Sequence, residues 1–193
     1  MEDRLLRRGL RLEYATLAWN VAGTVIVVAA AWRARSVALA GFGLDSLIEI
    51  FASVVVVWQL TDAGAGRERR ALRLIGLAFC ALALYVLAQT AVTLAAHVRP
   101  APSPAGIAWL GATFVAMLLL ARGKRVTGAA LGNAVLSTEG RVTLIDAVLA
   151  GAVLVGLVLN AALGWWFADP LAGLVVVYYA VREGLGALLG EPA

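Results

Sequence analysis

Long apolar runs alternate along the chain with short links that are basic or rich in proline and glycine. A hydrocarbon core about 30 Å thick takes roughly 20 residues at helical rise. Six runs reach or approach that length, at about 15–32, 37–60, 74–96, 105–121, 128–158 and 165–181. The fifth is long enough to tilt or to begin in the interface. The pattern predicts an all-α polytopic membrane protein, a single transmembrane domain of six helices with no room for a soluble domain. Turn chemistry places the links. Asp62–Gly66 is a flexible connection, and Arg99–Pro104 is a stiff proline-rich one. Arg122–Gly128 reads as a compact basic loop between the fourth and fifth runs. At Ala168-Asp169-Pro170 the sixth helix opens with an acidic cap and a proline in its first turn. Trp165, Trp166 and Phe167 suit an interfacial aromatic belt.

Composition agrees: of 193 residues, 62% are hydrophobic, more than a soluble domain of this size needs. Charge adds orientation. Arg4, Arg7, Arg8, Arg11, Arg67, Arg69, Arg70, Arg73, Arg122, Lys124, Arg125 and Arg182 fall on one side of the predicted spans, and only Arg33, Arg35 and Arg99 on the other. The positive-inside rule then puts both termini in the cytoplasm of a multi-pass protein of the cell membrane. The arginine clusters serve topology and lipid contact, not nucleic acid. No signal-peptidase site follows the first run, which is expected to stay. Three spans lie on each side of the proline-rich link, an arrangement compatible with inverted repeats. Cys80, the single cysteine, excludes an intramolecular disulfide and reads as a small buried hydrophobe.

Two acids stand one turn apart within the second run, Asp45 and Glu49. A carboxylate at mid-membrane depth costs roughly 2.5–3.5 kcal/mol on insertion scales, so a pair on one helix face points to use. The fifth run holds Glu139 and Asp146, seven residues and nearly two turns apart, with Thr143 between them. With antiparallel second and fifth spans the depths of Asp45, Glu49 and Asp146 agree, and Glu139 or Thr143 would complete a four-oxygen cage. Arg141 is a modulator of that cage, by pairing with a carboxylate or by snorkelling to the interface. The competing structural reading is a buried ion-pair network that fixes helix packing. His97, the single histidine, reads as an interfacial polar residue. Trp19 and Asn20 would line a cavity or simply pack. No Ser/His, Cys/His or His-Glu-x-x-His constellation supports an enzyme.

Three segments carry a resemblance. Ser36–Glu49 contains Asp45-Ser-Leu-Ile-Glu49, Thr138–Asp146 holds the second acidic pair, and Trp166–Gly173 enters the sixth helix through Asp169-Pro170. In these the chain resembles the cation diffusion facilitator family of metal-ion exporters, in a short six-helix form without the cytoplasmic C-terminal domain. The resemblance places Asp45 and Glu49 on the second-helix ligand pair, Asp146 on a fifth-helix ligand, and Glu139 on the acidic position before it. Val142 stands where the family carries His or Asp. An all-carboxylate site leans toward harder ions than one containing imidazole. The implied activity is export of a divalent cation (Zn, Mn, Fe or Co) by proton antiport. No prosthetic group is expected. The expected partners are the lipid bilayer, the metal ion and a second copy of the chain. The alternatives are a non-transporting membrane interaction protein with a degraded site, and a carrier of another cationic solute.

Overall fold

The computed structural model describes residues 2–60, 65–132 and 134–189, and the side chains of Glu49 and Glu139 lie outside the described residues. Its elements are α1 (Glu2–Ala34), α2 (Val37–Leu60), α3 (Ala65–Ala95), α4 (Pro104–Leu131), α5 (Ala134–Leu163) and α6 (Ala168–Leu189). Among the described residues no strand occurs. Five helices, α1 and α3 to α6, are long and apolar enough to cross a membrane, and α2 opens with the apolar stretch Val37–Ile48.

Four of the helices, α1, α3, α4 and α5, stop where backbone chemistry demands it. Arg35 and His97 take left-handed φ values of 53° and 52°. The following amides, Ser36 and Val98, bond back to Ala31 O and Thr93 O at 3.2 and 3.0 Å, the six-to-one closure of a Schellman end. Gly132 and Gly164 fill the same left-handed position after α4 and α5 at 61° and 66°. Ser103 caps α4 by accepting from the Gly106 amide at 3.2 Å, with Pro104 in the first turn.

The basic link expected over Arg122–Gly128 is not a loop. Helix α4 runs through it to Leu131, because nothing in that stretch forbids helix until the left-handed Gly132. Lys124 is accordingly buried, 1% exposed, with its ammonium 2.9 Å from Glu13 Oε2 on α1. A charge read as interfacial instead ties two helices together.

Packing divides the helices into a set of four (α1, α2, α4, α5) and a pair (α3, α6), joined through α2 and α5. Val27, Leu39, Val86, Leu110, Val153 and Val176 form the core between them. Where helices approach most closely, small residues allow it, as expected when lipid supplies no hydrophobic drive between helices. A Cβ on Gly156 of α5 would lie 2.6 Å from Ala172 Cβ of α6, and one on Gly76 of α3 would lie 2.9 Å from Gly184 O of α6.

Asp169 caps a different helix from the one expected. It sits in the first turn of α6 but is fully buried against the start of α2. Ser36 Oγ donates to its Oδ2, and the amides of Val37 and Ala38 donate to Oδ1 at 3.0 and 3.4 Å. Ser36 Oγ also accepts from the Leu39 amide at 3.1 Å. The first orphan donors of α2 are thereby satisfied from across the interface, which fixes α2 against α6.

Candidate cation site

Helices α2 and α5 barely touch directly, and a small cavity lies between them, closed by α1 and α4. Asp45 and Ser46 of α2, Asp146 of α5, Trp19 and Asn20 of α1, and Trp109, Thr113 and Met117 of α4 line it. Its volume, about 10 Å³, is the space of one water-sized particle.

The two carboxylates come from antiparallel helices and are nearly sealed, 7% exposed at Asp45 and 8% at Asp146. They lie within electrostatic range of each other. A buried carboxylate is costly, and it stays only where something meets its charge. Two like charges in a low-dielectric wall repel, and a cation or proton held between them removes that repulsion.

The remaining wall is stiff. Trp19 and Trp109 stack with centroids 4.9 Å apart and planes 21° from parallel. Trp19 Nε1 donates to Thr113 Oγ1 at 3.0 Å, so the indole dipole has a partner. Gly23 makes room for the pair, since a Cβ there would stand 3.0 Å from Trp109 Nε1. Trp19 and Asn20 therefore both pack and line the cavity.

The residues named from sequence separate into three groups. Asp45 and Asp146 line the same cavity. Glu49 and Glu139 belong to α2 and α5, but their side chains lie outside the described residues. Arg141 and Thr143 do not line the cavity. Thr143 is buried at 2%, whereas Arg141 is exposed, five residues and about 140° round α5 from Asp146. Among the described residues no group of three or more His, Cys, Asp or Glu side chains is arranged to hold a metal ion.

One acid was missed by sequence reasoning. Glu183 of α6 lies within electrostatic range of both Asp146 and Asp45. It follows Arg182, and the pair looked like the charged flank of a sixth span ending at 181. Its spacing was the available signal: it stands three residues from Ala180 and seven from Val176, both buried. No family model matches the chain.

Proposed function

We propose that the chain crosses the membrane six times with both termini in the cytoplasm, and exports a divalent metal cation in exchange for protons through the Asp45–Asp146 cavity. The observation that carries this reading is a pair of nearly buried carboxylates from two helices lining a space for one particle. Oxygen ligands bind a cation only when deprotonated, so the same two groups take either the ion or protons, never both at full occupancy. Opening the cavity alternately to the two sides turns that competition into exchange. The resemblance adds Glu49 and Glu139 as further ligands and a second copy of the chain as partner. A carboxylate set favours Mn²⁺ or Fe²⁺ over ions that prefer nitrogen or sulfur.

A second reading has its own support in the Trp19–Trp109 wall. Aromatic faces attract cations, and a monovalent ion or a small ammonium would use the same carboxylates as counter-charges.

Reconstituted into proteoliposomes, the wild-type chain is expected to move Mn²⁺, Fe²⁺, Co²⁺ or Zn²⁺ with counterflow of protons. Asp45→Asn, which keeps shape and removes charge, should reduce that flux at least a hundredfold without lowering the thermal midpoint in detergent. Undiminished flux in this variant overturns the site. Movement of ammonium ions but of no divalent metal decides for the second reading.

A further inference from the structure

Helices α5 and α6 form an antiparallel hairpin closed by the turn at Gly164. Their register is fixed by the near-contact of Gly156 with Ala172. Glu183 lies eleven residues beyond Ala172, three turns and about 20° further, so it keeps the α5-facing side of α6. Eleven residues back from Gly156 along α5 is Ile145, the neighbour of Asp146. Glu183 thus stands level with the cavity's acids, on a helix that packs against both α5 and α2. The next residue, Gly184, faces α3: a Cβ there would lie 3.0 Å from Cys80 Sγ. Glu183 itself is half-buried, yet its Oε1 is sealed and has no hydrogen-bond partner among the described residues.

Three acids from three helices therefore run from a half-buried position to a closed one: Glu183, then Asp146, then Asp45. The end of α6 is only six residues past Glu183, roughly 9 Å at helical rise. The charged groups around Glu183 are Arg182 beside it, Asp146 from α5 and Asp45 from α2.

We propose that Glu183 is the outer station of the ion path, receiving the cation at the α6 C-terminal side and passing it to Asp146 and Asp45. The inference rests on the transport reading above. A carboxylate standing before a closed cavity raises the local cation concentration and replaces water in the ion's shell one ligand at a time. Glu183 is a positioning group for entry and is not one of the cavity's own acids, so its loss should weaken capture without disabling the exchange step.

The test uses the full-length protein in proteoliposomes, with Mn²⁺ and Zn²⁺ as probes and Asp45→Asn, Glu183→Gln and Glu183→Asp as variants. Glu183→Gln is expected to raise the KM for the ion at least fivefold while kcat stays within twofold of wild type. Glu183→Asp should restore KM to within threefold, because it returns the charge. An unchanged KM in Glu183→Gln overturns the inference. So does a loss in both variants that tracks a lowered thermal midpoint, since that marks a packing role. If Asp45→Asn is inactive while Glu183→Gln matches wild type, the cavity stands and only the station falls. A wild-type chain that moves neither ion removes the transport reading and this inference with it.

Discussion

At the scale of single residues, buried polar groups do most of the specifying. Asp169 satisfies three donors at the α2 start, and a side chain that only fills space cannot replace it. Asp169→Ala should cost about 2–3 kcal/mol, the penalty for stranding buried donors, and Asp169→Asn less, since one amide oxygen still accepts. Thermal unfolding in detergent measures both, and equal loss in the two would show that charge, not acceptor count, matters there. Sequence made Asp45 and Asp146 legible as cavity-lining candidates, because a carboxylate in an apolar run is conspicuous and helical periodicity gives its face. Asp169 and Lys124 were legible as residues but not as contacts. Each looks like an ordinary terminal or interfacial group until the neighbouring helix is placed, and their partners, Ser36 and Glu13, lie 133 and 111 residues away. Glu183 was hidden by a boundary drawn two residues early.

At the scale of elements, all six helices were visible as apolar runs, and the errors lie at their ends. Hydropathy marks where a helix enters water and says nothing about where its hydrogen bonding stops. Helix α4 continues through Arg122, Lys124 and Arg125 for this reason, and α5 extends to Leu163 instead of about 158. The pairing of helices was not legible, because it depends on glycines whose function is absence of bulk. Two of them make opposite predictions. Gly156→Ala drives a Cβ to 2.6 Å from Ala172 Cβ and 2.9 Å from Ala168 O, and should destabilise by about 1–3 kcal/mol. Gly111→Ala in α4 meets nothing within 4 Å and should gain about 0.5–1 kcal/mol from reduced backbone entropy in the unfolded chain. A denaturation midpoint of Gly156→Ala at or above wild type would refute the α5–α6 packing, and a lowered midpoint of Gly111→Ala would refute the open space beside α4.

For the whole molecule, the prediction is that α2 crosses the bilayer with the five helices whose length and composition already suffice. Its carboxylate shares a cavity with Asp146 of α5, which packs α2 against the other helices. A crossing α2 has a consequence that a surface-lying one does not. With six spans, the N-terminal end of α1 and the C-terminal end of α6 share a side, and the α3–α4 link lies opposite. With α2 excluded, the α3–α4 link returns to the side of the N-terminus and the C-terminus moves across. In a Cys80→Ala background, single cysteines at Arg8, Ala101 and Leu189, all exposed, separate the two arrangements. A membrane-impermeant maleimide applied to intact cells should label Ala101→Cys alone, and Arg8→Cys and Leu189→Cys only after permeabilisation. Labelling of Leu189→Cys in place of Ala101→Cys would leave α2 outside the span count. It would also remove the matched depth that brings Asp45 to Asp146, because a helix lying at the surface cannot carry a carboxylate to mid-membrane.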